Sequence, residues 1–222
     1  MEIQPIAHIE SDFPTKFGIP RQSSLAPSTV STVVFEPDYR DPEAVRGLKE
    51  FSHIWLIWGF SDVPQGKWSP TVRPPRLGGN VRMGVFATRS PFRPNSLGLS
   101  SVRLLSVEET SRGVELKVAG ADLMDGTPIF DIKPYIRYSD LHEDAVDGFV
   151  GSNLRRLLEV EFAPEAAAEM SESWRATLAE VLAQDPRPAY QDDPDRVYGF
   201  PYGGREVKFR VVGSHLTVIS VD

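Results

Sequence analysis

Apolar positions in the first two-thirds of the chain fall in short runs broken by Gly, Pro, Asn and Asp. Residues 3–9 roughly alternate, 32–35 are β-branched and aromatic, and 52–60 carry the longest apolar run, 54–60. Residues 84–88, 99–107, 113–119 and 129–135 follow in the same style. Each pattern predicts a strand, because alternate side chains of a strand face opposite sides and a fully buried strand reads as continuously apolar. Asp125-Gly126 predicts a turn between two of these runs. Residues 41–48 predict a short helix, with Asp41 as cap and Pro42 in its first turn. Many short strands with few helices suggest a sandwich or barrel. Strands and helices do not alternate regularly, which disfavours a doubly wound parallel sheet.

The pattern changes near residue 140. Residues 140–147 are acidic and read as a loop. Residues 163–183 predict an amphipathic helix, with Met170, Trp174, Leu178, Val181 and Leu182 at helical spacing and better suited to a core than to a ligand. Residues 184–194 are proline-rich and irregular, and 207–212 with 216–221 predict a closing hairpin. The expected fold is mainly β, with a barrel-like domain over 1–140 and a small α+β domain over 141–222.

Composition narrows the chemistry. The chain has no cysteine, so disulfides, thiolate metal sites and cysteine nucleophiles are excluded. His8, His53, His142 and His215 are scattered without metal-ligand spacing, and no metal is expected. No apolar run approaches the roughly 20 residues a membrane-spanning helix needs, and the first ten residues lack the pattern of a signal peptide. A cytoplasmic protein is expected. No glycine-rich dinucleotide fingerprint, Walker motif, HExxH or nucleophile elbow is present.

The formal net charge of −7 argues against a polyanionic partner until its distribution is considered. Residues 63–107 contain no acid but hold Lys67, Arg73, Arg76, Arg82, Arg89, Arg93 and Arg103. Such a block suits an anion or a polynucleotide, and it would also make a solvated arginine face. Within it, Arg89-Ser90-Pro91-Phe92-Arg93-Pro94-Asn95 forms a loop stiffened by two prolines. Its arginines offer planar forks for carboxylate or phosphate, Phe92 offers a stacking face and Asn95 an amide for an adenine edge. The alternative is a stiffened surface loop with its arginines paired to acids behind it. Asp131, Lys133 and Tyr135 share one strand face, where they would make either a reactive site or a structural ion pair beside a buried tyrosine. Asp185, Arg187 and Tyr190 form a third proline-bounded cluster, or else a linking loop.

Taken in order, RPPRLGGNVRMGVFATRSPFRPNSLGLS, DLMDGTPIFDIKPY and LAQDPRPAY resemble the TrmO (TsaA-like) tRNA methyltransferases. AVRGLKEFSHIWLIWGF and the opening segment 6–21, with its FGIPR, fit the same family; residues 140–182 are the least family-like. The resemblance implies a barrel-like methyltransferase domain unlike the Rossmann type, a small C-terminal domain and a homodimer. It also implies S-adenosylmethionine as cofactor and tRNA as substrate, methylated on N6 of N6-threonylcarbamoyladenosine next to the anticodon. On that reading Asp131 is the base or orients the acceptor, and Lys133 and Tyr135 shape the pocket. Arg89, Phe92, Arg93, Asn95 and Ser96 bind the cofactor. Asp185, Arg187 and Tyr190 complete its site from the same subunit or a partner. Arg73, Arg76 or Arg82 meets the threonyl carboxylate. Two other readings remain open: methyl transfer to a different acceptor, and a module that senses S-adenosylmethionine or a nucleotide.

Overall fold

A computed structural model of the chain describes residues 2–63, 68–74, 77, 80–153, 157–187, 191 and 193–222, with backbone alone at 152–153. Six strands close into an antiparallel barrel: β1 (Ala7–Glu10), β2 (Val30–Phe35), β3 (His53–Gly59), β6 (Leu97–Thr110), β7 (Gly113–Ala119) and β8 (Pro128–Pro134). Their order around the wall is β1-β2-β7-β6-β3-β8, with β8 returning to pair with β1 through Ala7 and Ile129. The alternation predicted from the sequence fills the interior. Ile9, Val33, Ile54, Leu56, Val102, Leu116, Val118 and Ile129 are fully buried there. Each such side chain contributes roughly 1.5–3 kcal/mol of hydrophobic stabilisation. Between β3 and β6 the chain makes a two-stranded arm, β4 (Thr71–Val72) and β5 (Met83–Gly84).

A second sheet has the order β10-β11-β12-β9, built from β9 (Glu159–Phe162), β10 (Tyr198–Tyr202), β11 (Arg205–Val212) and β12 (His215–Val221). β9 runs parallel to β12. The helices α2 (Pro164–Ala168) and α3 (Glu172–Ala183) pack over it, and Leu178, Val181 and Leu182 of the expected stripe are fully buried. This second core also takes Phe13 and Ala26 from the loop between β1 and β2, with Phe17 and Ile19 against it. Polar contacts fasten the same loop. Ser28 donates from its backbone N–H and its Oγ to Glu180 of α3, at 2.9 and 2.7 Å, and Gly203 N–H donates to the Asp12 carbonyl.

Several sequence expectations need correction. The strand expected at 84–88 ends at Gly84, and Val85–Ala87 is a 3-10 turn. The reason is local: Thr88 donates from both its backbone N–H and its Oγ to the Val85 carbonyl, closing the turn. The helix expected at 41–48 is reduced to a 3-10 turn, Pro42–Val45. Asp41 does cap it, accepting from Glu43 N–H at 2.9 Å, but Arg46 has extended ψ and Gly47 a positive φ of 84°. The helix expected at 163–183 is two helices, because Ser171 leaves the helical path and caps α3 by accepting from Trp174 N–H. β1 begins at Ala7, while β6 runs the full fourteen residues from Leu97 to Thr110.

Candidate functional site

The proline-bounded loop leads straight into β6 at one end of the barrel. Phe60 N–H donates to the Ser96 carbonyl and Leu97 N–H to that of Asn95, so the loop is tied to the end of β3. Arg93 turns back on its own loop. One of its terminal nitrogens reaches the carbonyls of Val85 and Thr88, at 3.2 and 2.7 Å, and the guanidinium lies over the Phe86 ring. Arg89 instead reaches Gln22, in the loop that follows β1. Phe92 is 46% exposed and Asn95 is exposed, leaving an aromatic face and an amide free for a ligand. Arg93 therefore shapes the loop, while Phe92 and Asn95 stand exposed on it and Arg89 reaches across to the loop after β1.

Pairing across the barrel wall sets out the second group. Ile57 of β3 is flanked by Leu99 of β6 and Asp131 of β8; Trp55 is flanked by Ser101 and Lys133. Leu99 and Asp131 are thus two strand spacings apart, about 10 Å. Lys133 Nζ lies 2.8 Å from Asp131 Oδ2, and both side chains are about half exposed. Tyr135 lies beside the rings of Trp55 and His53, with centroids 5.5 and 6.2 Å away. Trp55 Nε1–H and the Ile136 amide both donate to Asp140 Oδ2, and these bonds hold that carboxyl below its usual range. Asp140 belongs to α1 (Arg137–Asp140), so the helix is anchored to the aromatic row.

Arg73 follows β4 and Arg82 precedes β5, at the positions that continue the Val72–Met83 pairing; both are exposed. Two like charges at facing positions repel unless an anion lies between them. Arg76 and Tyr190 lie outside the described residues. Asp185 and Arg187 bind each other. Arg187 Nε–H donates to Asp185 Oδ1 at 2.9 Å and Nη2–H to Oδ2 at 3.2 Å, with the two side chains only 13% and 9% exposed.

A buried chain beneath the loop was not placed in the site by the sequence reading. Trp58 Nε1–H donates to Ser100 Oγ at 3.0 Å, and Ser100 donates to Asp122 Oδ1 at 2.6 Å. Burial pushes the Asp122 carboxyl above the usual range. The Ser100 hydroxyl, the amides of Asp122 and Ser23, and the charge of Arg89 act the other way. The available signal was the alternation of Gly98 and Ser100 on the inner face of β6. A Cβ on Gly98 would lie 2.3 Å from the Trp58 ring, which is itself held against Phe60. Gly98→Ala should therefore destabilise the protein by about 1–3 kcal/mol through overpacking. Thermal denaturation of Gly98→Ala in the wild-type and in the Trp58→Leu background checks this, since the substitution should cost less where the smaller leucine side chain leaves room for the added methyl group.

Among the described residues no group of acids and histidines could hold a metal ion, and no helix is long and apolar enough to cross a membrane. The model of the tRNA-methyltransferase O N-terminal domain matches residues 8–141. The chain belongs to the TrmO family. The family's C-terminal domain matches residues 155–222. The tRNA (adenine(37)-N6)-methyltransferase of Escherichia coli (strain K12) is 38% identical, over 100% of this chain and 97% of that protein. A Pseudomonas aeruginosa protein, whose name refers to S-adenosylmethionine-dependent methyl transfer, is 44% identical over 89% of this chain and 87% of its own length. A crystal structure of TrmO superposes with a TM-score of 0.81 at 33% identity, covering 100% of this chain and 98% of that one.

Proposed function

We propose that this TrmO-family chain transfers a methyl group from S-adenosylmethionine to N6 of threonylcarbamoyladenosine beside the anticodon of tRNA. The observation that carries this reading is that β3 places two groups on one wall of the barrel: the donor-rich loop 89–96, tied to its end through Phe60 and Ser96, and the Asp131–Lys133 row of β8, which lies opposite Ile57 and Trp55. The donor set fits the cofactor's parts. A guanidinium suits its carboxylate, an exposed phenyl ring its adenine face and an amide the adenine edge. Arg89, Phe92, Asn95 and Ser96 would hold it, with Arg93 keeping their loop in shape. When bound, it supplies a methyl group already activated on a sulfonium, so the protein's work is positioning and proton removal. Asp131 takes the N6 proton or holds the N6–H in line, with Lys133 bridged to its carboxylate. Tyr135 and Trp55 offer flat faces against which an unpaired base can stack.

The finer parts of the reading follow from the same surface. The chain divides at residue 140 into a barrel domain and a small α+β domain, a division supported by the two family matches, the first ending at residue 141 and the second starting at residue 155. It acts as a cytoplasmic homodimer. Leu99 (54% exposed) on the barrel wall and Tyr138 (92%) on α1 give the second copy an apolar surface. The segment holding Asp185, Arg187 and Tyr190 then completes the partner's pocket.

The test is mass spectrometry of digested tRNA after incubation with protein and S-adenosylmethionine. A gain of one methyl group on threonylcarbamoyladenosine, and none on unmodified transcript, is expected. No gain on either RNA, with cofactor binding intact, would favour another acceptor or a sensor. Binding of tRNA should weaken steeply with salt, and Arg73→Ala and Arg82→Ala should each lower the slope of log affinity against log salt by about 1. Filter binding at several salt concentrations measures it, and an unchanged slope would remove these arginines from the interface.

A further inference from the structure

Asp122 ends a chain that begins in the barrel core. Trp58 can only donate, so the Ser100 oxygen accepts its Nε1–H and the single Ser100 proton goes to the Asp122 carboxylate. Ser100 is 2% exposed, so water does not compete for this hydroxyl. Asp122 also receives the Ser23 amide and feels the positive charge of Arg89. Ser23 stands next to Gln22, the side chain that Arg89 grips, and Ser24 N–H donates to the Gly120 carbonyl two residues before Asp122. The carboxylate therefore lies where the barrel end, the loop after β1 and the loop 89–96 converge. Among the described residues it forms no ion pair.

We propose that Asp122 is a positioning residue which, in its charged form, holds Arg89 and the Gln22–Ser23 turn in the arrangement that receives the cofactor's carboxylate. This inference rests on the reading of loop 89–96 as the S-adenosylmethionine site. Its physical signature is a conflict between function and stability. Burial disfavours the charge in the folded state, so an ionised Asp122 costs stability that rises with pH between its unfolded and folded pKa. A residue present only for structure would not carry that cost. Asparagine at 122 keeps the shape and the acceptor for Ser100 and removes the charge.

Calorimetric titration with S-adenosylmethionine, alongside thermal denaturation at neutral pH, tests the inference. Asp122→Asn should bind about tenfold more weakly while melting at the wild-type temperature or above it. Wild-type affinity should fall as pH drops toward the carboxylate range, and Asp122→Asn should lack that acidic limb. Ser100→Ala removes a hydrogen bond that favours the charged form, so its limb should move to higher pH. Affinity unchanged in Asp122→Asn would overturn the inference. So would a fall in melting temperature that parallels the loss of binding, or an acidic limb that survives the substitution. Failure of the wild-type protein to bind S-adenosylmethionine at any pH would overturn the reading of the loop, and this inference with it.

Discussion

Asp131→Asn should slow methyl transfer by about 10²–10⁴-fold, the usual contribution of a positioned base. The acceptor nitrogen sits between a purine and a carbamoyl group, where its lone pair is delocalised and its proton must leave for it to attack. Asp131 forms a salt bridge with Lys133 Nζ at 2.8 Å, and its half-exposed side chain leaves it open to both a substrate and the solvent. Asparagine keeps the size and loses the proton acceptor. Single-turnover kinetics with saturating S-adenosylmethionine isolates the chemical step, and cofactor affinity should be unchanged because Asp131 is on β8 rather than in the loop. Normal turnover by Asp131→Asn would end the assignment. Lys133→Met is the companion test: it leaves the carboxylate but removes its partner, so a smaller loss is expected.

The second large effect concerns stability. Arg187→Ala leaves Asp185 with only 13% of its side chain exposed and its bidentate partner gone. Removing one member of a buried pair typically costs 3–5 kcal/mol, because the remaining charge is poorly solvated. For a chain of this size the melting temperature should drop by roughly 6–20 °C. Asp185 has a positive φ of 52° immediately after α3, and its amide donates to the Leu182 carbonyl. The pair thus fixes how the chain leaves that helix. Exchanging both residues for alanine should cost less than the sum of the two single substitutions, since the contact between them is lost only once. A double-mutant cycle by thermal denaturation measures the coupling, and additive losses would contradict a buried, paired arrangement.

What the sequence revealed depended on how far each feature extends along the chain. β3 and β7 were legible because seven residues of buried or alternating pattern carry their own signal. β9 and β10 were not. β9 has only four residues and gains its meaning from a parallel neighbour more than fifty positions away, while β10 contains Pro201. The break between α2 and α3 was written in Ser171, but the apolar stripe runs through it and masked the cap. In the site, Asp131 and Lys133 were correctly placed on one face, because strand period decides this locally. Whether Asp185 and Arg187 face a ligand or each other depends on backbone turns that no periodicity encodes. The Trp58–Ser100–Asp122 chain joins three strands or strand ends, so only their register brings its members together.

The loop between β1 and β2 also has a bearing on the order in which the protein can be made. Phe13 and Ala26 leave the ribosome early, yet the sheet that covers them is finished only when β12 has been synthesised, some 195 residues later. At about 5–20 residues per second this apolar segment waits roughly 10–40 s for its partner. A nascent barrel can close while still carrying a sticky, unfinished strap. The second half of the chain, for its part, finds its missing core residues already displayed on a folded surface, and that surface serves as a template on which the C-terminal sheet assembles.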